Sequence, residues 1–138
     1  MKKYFSIILV CFIAGTFGCS NSSNNLEKFD VNMFLETLSS SPKEIIPKES
    51  LPIWLIEKVN EMEKEPLLKF FKIKIFTGEW NKRKYYLIIH PLSSCMFCDI
   101  YSEKGEKKIF SADNNTEKNS FFQTCKNWTL IYEYGGDL

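Results

Sequence analysis

Apolar residues recur at helical spacing in two stretches near the start of the folded region. The members of the first are Leu26, Phe29, Met33, Phe34 and Leu38, with Asp30 placed to cap the stronger half. The second stretch covers about residues 50–65 and ends before Pro66, which cannot continue a helix. Its apolar stripe is made of Leu51, Trp54, Leu55, Val59 and Met62. The pattern predicts two amphipathic helices.

Alternation with period two begins at Phe71 and predicts strands. Phe71, Ile73 and Ile75 would share one face, and residues 85–90 have the β-branched and aromatic content of a partner strand across a basic turn. Further strands are expected at 96–101, 107–111 and 128–134, with a short helix at 117–126. We therefore predict an α+β fold, with N-terminal helices packed on an antiparallel sheet of about five strands.

The first nineteen residues resemble a bacterial lipoprotein signal peptide. Lys2 and Lys3 precede an apolar run that is shorter than the about 20 residues a membrane span requires. The run ends in Thr16-Phe17-Gly18-Cys19, which is similar to the motif whose cysteine is acylated before cleavage. We expect removal of residues 1–18, lipidation of Cys19, a polar tether over 19–25 and a single α+β domain over 26–138.

The sequence also predicts a cellular location, and the net charge argues against nucleic acid as a partner. Ser20 follows Cys19, which resembles the outer-membrane sorting pattern of some Gram-negative bacteria. We expect a lipid-anchored protein in the cell envelope of a Gram-negative bacterium, on the outer rather than the inner membrane. The formal net charge of +1 provides no broad basic field for nucleic acid, so none is expected as a partner. The run Lys82-Arg83-Lys84 is predicted to be a solvated hairpin tip.

Cysteine chemistry depends on three residues, because Cys11 would leave with the signal and Cys19 would carry lipid. The remaining three are Cys95, Cys98 and Cys125. In an oxidising compartment they predict one disulfide and one thiol, with three possible pairings. If residues 95–98 are extended, their terminal Cα atoms lie about 10 Å apart, which is too far for a bridge. Unless this segment turns sharply, we expect the bridge to join Cys95 or Cys98 to Cys125.

Three local patterns together resemble a family of small bacterial lipoproteins of unknown function. The patterns are Pro52-x-Trp54-Leu55-x-x-Lys58-Val59, the hairpin through Trp80-Asn81 to Tyr85-Tyr86, and Cys-x-x-Cys98-Asp99-x-Tyr101 before a glycine turn. The resemblance covers about residues 51–134. The resemblance implies the fold and a location in the cell envelope, and it implies no particular activity.

The candidate chemistries are few. Cys95 and Cys98 form a C-x-x-C motif, but it is predicted to run into a strand, whereas redox-active cysteines lie at helix N-termini. His90 and the three cysteines would suffice for zinc, but oxidation competes for the thiols, so we expect neither metal nor cofactor. A possible exposed aromatic surface for a glycan or peptide is formed by Tyr85, Tyr86, Tyr101, Tyr132 and Tyr134.

These observations favour a non-enzymatic binding or accessory role, with a protein or glycan partner that the sequence does not identify. Two alternatives come from other classes. One is a thiol-redox or metal-handling protein that uses Cys95 and Cys98, and the other is an inhibitor or interaction module for a secreted enzyme.

Overall fold

The computed structural model describes residues 29–111 and 115–136. The predicted signal peptide, the predicted lipidation site Cys19 and the predicted polar tether lie outside the described residues.

Three helices and one four-stranded sheet make up the described chain. The helices are α1 (Val31–Ser39), α2 (Ile53–Met62) and α3 (Asn115–Thr124), with short 3₁₀ turns at Lys48–Ser50 and Pro66–Lys69. The strands are β1 (Lys72–Trp80), β2 (Arg83–Ile89), β3 (Ile100–Ser102) and β4 (Lys126–Gly135). The strand order is β3-β2-β1-β4, and every neighbouring pair is antiparallel. The predicted α+β class with an antiparallel sheet is confirmed.

The predicted strand at 107–111 is wrong. Tyr101 and Lys107 form an isolated bridge, so the sheet has four strands within the described ranges rather than about five. The chain leaves the sheet because Phe110 packs against the rings of Phe121 and Phe122, with centroids 5.6 and 6.1 Å away. Burial of the Phe110 ring therefore takes the place of further strand pairing in this segment.

The helix starts follow local sequence chemistry. The Asp30 carboxylate accepts hydrogen bonds from the backbone amides of Asn32 and Met33 at 2.9 and 3.2 Å. This is the predicted cap of α1, and such a cap contributes about 1 kcal/mol. Helix α2 is shorter than predicted, because Lys48–Ser50 forms its own turn and Pro52 stands at the position before the first helical residue.

Both faces of the sheet are covered by buried side chains. Along β2, Tyr85 and Leu87 belong to one buried cluster and Tyr86 and Ile88 to another, as alternation along a strand requires. The first cluster, the aromatic cluster, also contains residues of α1 and α3, among them Phe34, Leu38, Phe121 and Phe122. The second, the aliphatic cluster, contains Leu55 and Val59 of α2 together with Ile73 and Ile75 of β1.

The hairpin between β1 and β2 closes through a two-residue turn. Asn81 and Lys82 have positive φ angles of 50° and 61°. Two consecutive left-handed residues are the geometry of a tight type I′ hairpin turn, whose twist matches that of the strands. The predicted hairpin is confirmed, and its turn leaves Arg83 and Lys84 at the start of β2.

Candidate functional site

The disulfide differs from the expected one. Cys95 is bonded to Cys98, with Cα atoms 5.4 Å apart, and Cys125 is a buried free thiol. The expectation of a bridge to Cys125 was wrong, because residues 95–98 turn instead of running extended. The backbone N–H of Cys98 donates to the carbonyl of Cys95 at 3.4 Å, which closes that turn.

The disulfide loop holds a partly buried aromatic residue against the aromatic cluster. The ring of Phe97 lies 5.2 Å from that of Phe34 and 5.9 Å from that of Phe122, measured between centroids. Residues 90–99 contain no helix, so the C-x-x-C motif lacks the helix N-terminus that activates redox cysteines. The bridge closes the turn that places Phe97 against the aromatic cluster.

The Cys125 thiol is held in its protonated form by its surroundings. It lies next to Gly78, where an added Cβ would be 2.9 Å from the sulfur. Burial, followed by the nearby Glu79 charge, raises the pKa of Cys125 from 9.0 to about 12. In an unfolded chain the same thiol ionises near its ordinary pKa.

We predict that this thiol makes the protein less stable in alkali. Between pH 9 and about 12 the unfolded chain loses the Cys125 proton while the folded chain keeps it, so stability present below pH 9 is lost as pH rises. One such proton changes the unfolding free energy by about 1.4 kcal/mol per pH unit. Urea unfolding at pH 8 to 11 should give a shallower decline for Cys125→Ala than for the unmodified chain. Parallel declines would contradict this assignment.

The expected aromatic surface does not form. Four of its five tyrosines are buried, at 7 to 9% exposure, and only Tyr134 is substantially exposed, at 39%. Tyr85 belongs to the aromatic cluster, whereas the other three belong to the aliphatic cluster on the opposite face. The prediction was wrong because these four tyrosines are buried in the two clusters. The buried tyrosines are Tyr85, Tyr86, Tyr101 and Tyr132.

A basic groove lies beside the edge strand. It is an open depression of about 450 Å³ between the start of β2 and the turn that follows β3. Antiparallel pairing of Tyr85 with Ser102 brings these two segments together. Five cationic and two acidic side chains are among the residues that line it. The lining residues are Arg83, Lys84, Tyr85, Ser102, Glu103, Lys104, Glu106, Lys107 and Lys108.

The turn after β3 is fixed by internal hydrogen bonds. The Ser102 hydroxyl oxygen accepts from the backbone amides of Lys104 and Glu106 at 3.3 and 3.2 Å. Gly105 adopts a φ of +81°, which few other residues adopt without strain. The backbone amide of Gly105 also donates to the carbonyl of Ser102 at 3.0 Å. The lysines of this turn are therefore carried on an ordered backbone.

Helix α2 supports the same turn from behind. The Trp54 indole N–H donates to the Glu103 carbonyl at 3.0 Å. The indole ring lies directly against Gly105, where an added Cβ would be 2.7 Å from two of its atoms. Trp54 also packs on the rings of Tyr86 and Tyr101, with centroids 5.4 and 5.5 Å away. The turn is thus clamped between the helix and its own hydrogen bonds.

Residues from all three of the lipoprotein-like sequence patterns meet behind this turn. The Lys58 ammonium lies 4.7 Å from the Tyr101 ring centroid. The Tyr101 hydroxyl and the Lys107 ammonium both donate to Asp99, at 3.4 and 2.8 Å. Together with Trp54 and Tyr86, the residues Lys58, Asp99 and Tyr101 form the support of the basic groove, whereas Lys107 is one of its lining residues.

The groove cations differ in how they are engaged. Lys107 is hydrogen-bonded to Asp99, which raises the pKa of Lys107, and Lys108 is paired with Glu117 at 2.7 Å. Arg83, Lys84 and Lys104 are exposed and make no ion pair with any residue that the structure describes. These three cations remain available to an anionic ligand.

Sequence reasoning missed this site because its two halves are separated along the chain. The run 82–84 alone predicts a solvated tip, and the lysines at 104, 107 and 108 belong to a later segment of the chain. The signal that could have revealed the site is the predicted antiparallel pairing of two strands. One strand follows residues 82–84, and the other precedes residues 104–108. Antiparallel pairing places the start of one strand beside the end of the next, as in the pair Tyr85 and Ser102.

The other candidate centres are not assembled in the described chain. Across residues 29–111 and 115–136, no three histidine, cysteine or acidic side chains are grouped so that they could hold a metal ion. His90 accepts a hydrogen bond from the backbone amide of Leu92 at 3.2 Å. A search of the described helices finds none that combines the length and apolar character needed to cross a membrane.

Comparison with known proteins identifies no relative: no protein-family model, curated protein or solved structure matches the chain. The resemblance of the three sequence patterns to small lipoproteins therefore stays a prediction.

Proposed function

We propose that this protein is a lipid-anchored cell-envelope protein that binds an anionic glycan in the basic groove and has no catalytic role. The observation that carries the proposal is the convergence of Arg83, Lys84 and Lys104 on one groove without acidic partners in the described chain. Cations left unpaired beside one another raise the local concentration of anionic ligands.

The composition of the groove favours a glycan over nucleic acid. Glu103 and Glu106 are exposed among the cations, and they would repel a densely charged phosphate backbone. The same carboxylates can accept hydrogen bonds from sugar hydroxyls. A ligand that alternates anionic groups with hydroxyl groups matches both kinds of side chain.

The support behind the groove favours binding by a preformed surface. Trp54 and Ser102 hold the turn before any ligand arrives, so less conformational entropy is lost on binding. We further propose that the N-terminal helices pack on the sheet. The buried clusters that α1 and α2 share with the strands support this arrangement.

The proposed address rests on the sequence. The resemblance of residues 16–19 to an acylation motif supports a lipid anchor at Cys19, and Ser20 supports the outer membrane of a Gram-negative bacterium.

Dextran sulfate and neutral dextran provide a matched pair of probes for the groove. We predict saturable binding of dextran sulfate, and no binding of dextran, by isothermal titration calorimetry in 50 mM salt. Replacing both Lys84 and Lys104 by glutamine should weaken binding about tenfold, which corresponds to about 1.4 kcal/mol. Binding should also become less sensitive to salt, because fewer counterions are released.

The control is Lys43→Gln with Lys64→Gln, which makes the same change in charge at two exposed lysines outside the groove. This variant should bind dextran sulfate as the unmodified chain does. Equal weakening by both double variants would show a non-specific charge effect and would overturn the proposed site.

A further inference from the structure

We propose that a second surface, located beside the start of β1, docks onto the lipid bilayer. This surface, the aromatic corner, consists of Leu67, Phe70, Phe71 and Tyr134. The proposal rests on the lipid anchor proposed above, but not on ligand binding in the groove. It gives the domain a fixed face toward the membrane rather than free motion on a tether.

The aromatic corner exposes large apolar side chains next to one another. The exposed fractions are 50% for Leu67 and Phe70, 44% for Phe71 and 39% for Tyr134. Leu67 lies in the second 3₁₀ turn and Phe70 directly follows it, and residues three apart in such a turn lie on the same side. Tyr134 belongs to the same corner because its backbone is the partner of Ile73, just after Phe71.

The corner is held in this exposed arrangement by its backbone. Leu68 is buried in the aliphatic cluster, and its carbonyl accepts a hydrogen bond from the amide of Gly136 at 3.1 Å. Gly135, at a φ of +92°, approaches the carbonyl oxygens of Leu68 and Phe71 so closely that a Cβ would collide with both. The neighbouring buried leucine fixes the turn, so the exposed rings are presented by a rigid segment.

The charges around the corner suit an anionic bilayer. Residues 64–72 contain three lysines and one glutamate. The Lys69 ammonium lies 5.2 Å from the centroid of the Phe70 ring, and Lys72 is exposed beside Phe71. Aromatic rings enter the interface between headgroups and acyl chains, while lysine stems lie along apolar surface and keep their ammonium groups at the phosphates. Each lysine near an anionic surface contributes about 1 kcal/mol.

The short chain between Cys19 and Phe29 favours the bilayer, rather than a second copy of the protein, as the occupant of the corner. Nine residues lie between Cys19 and Phe29, so ten peptide steps join the two. Even fully extended, they reach at most about 35 Å, so an anchored domain remains close to the lipid and meets it at high effective concentration. Two copies that met through this corner would bring their lysines together, which repel one another.

Spin labels on the anchored full-length protein test the docking directly. The protein would be reconstituted in vesicles of phosphatidylethanolamine with phosphatidylglycerol and labelled at Phe70→Cys. Matched controls are Ile53→Cys and Ile109→Cys, because these apolar side chains are 78% and 79% exposed and lie outside the corner. The native cysteines of the described chain are bonded to each other or buried, so the label is selective.

We expect the label at position 70 to be reached readily by oxygen and poorly by a water-soluble nickel complex, with the opposite pattern at 53 and 109. Adding Lys69→Glu and Lys72→Glu should reverse the pattern at 70 on these vesicles. Identical accessibility at all three positions would overturn the proposal. Dipolar broadening between labels at 70 would do the same, since it would identify a second copy as the occupant.

Vesicle flotation separates this proposal from the proposed function. A chain that does not float with vesicles lacks the anchor, and both the docking and the membrane address then fail. A chain that floats but shows no immersion at position 70 refutes the docking alone. Dextran sulfate binding reports on the groove in either case.

Discussion

Phe121→Ala is expected to lower the free energy of unfolding by about 3–5 kcal/mol. Phe121 is completely buried at the centre of the aromatic cluster. Its ring centroid lies 5.3 Å from those of Trp80, Tyr85 and Phe122. Alanine would remove the buried ring and leave a cavity among rigid neighbours. Helix α3 would be affected most, because Phe121 and Phe122 are its only buried residues within the described segment.

Equilibrium urea unfolding followed by circular dichroism measures this effect. Phe70→Ala is the matched control, since it removes the same side chain from a position that is 50% exposed. The control should cost less than about 1 kcal/mol, as surface changes generally do. Similar losses in the two variants would contradict the assignment of Phe121 to the core.

Gly105→Ala is expected to cost about 2–5 kcal/mol and to weaken dextran sulfate binding as well. Alanine in the left-handed conformation at φ +81° is strained by about 1–2 kcal/mol. The new methyl group would also lie 2.7 Å from the Trp54 ring, an overlap that typically adds 1–3 kcal/mol unless neighbours move apart. Because Lys104 is carried on this turn, displacement of the turn moves one wall of the groove.

A double-mutant cycle with Trp54→Ala separates the two causes. Removing the indole relieves the overlap but not the backbone strain, so Gly105→Ala should cost less in the Trp54→Ala background than in the unmodified chain. Urea unfolding supplies the four free energies. Additive effects would indicate that Trp54 does not clamp the turn.

The elements that follow from local chemistry could be predicted from the sequence. The cap of α1 follows from Asp30, and the stripe that contains Leu55 and Val59 identifies α2. The hairpin was visible as two alternating runs around a short polar turn. In each case the residues that determine the element lie close together in the sequence.

The features that were mispredicted depend on contacts between distant residues. Residues 107–111 leave the sheet because Phe110 packs against the Phe121 ring of α3 instead of extending the sheet. The disulfide depends on the turn between Cys95 and Cys98, which packs Phe97 against a cluster formed by other segments. The pattern of apolar and polar residues along the chain does not reveal either of these contacts.

The candidate site shows the same division. The basic run 82–84 and the later lysines are each ordinary surface charges when taken alone. Only the pairing of β2 with β3 makes them one groove, and only the packing of Trp54 fixes the turn that carries Lys104. The predicted tyrosine surface failed for the converse reason, because each strand face was already covered.

Hydrogen–deuterium exchange of the detergent-solubilised full-length protein, with and without dextran sulfate, tests the central claim most directly. We predict slower amide exchange in two separate peptides, one covering residues 83–85 and the other 102–108, with neutral dextran producing no change. The Lys84→Gln and Lys104→Gln double variant should lose both protections. Protection in only one of the two segments, or spread over exposed lysines elsewhere, would contradict the claim that they form one binding groove.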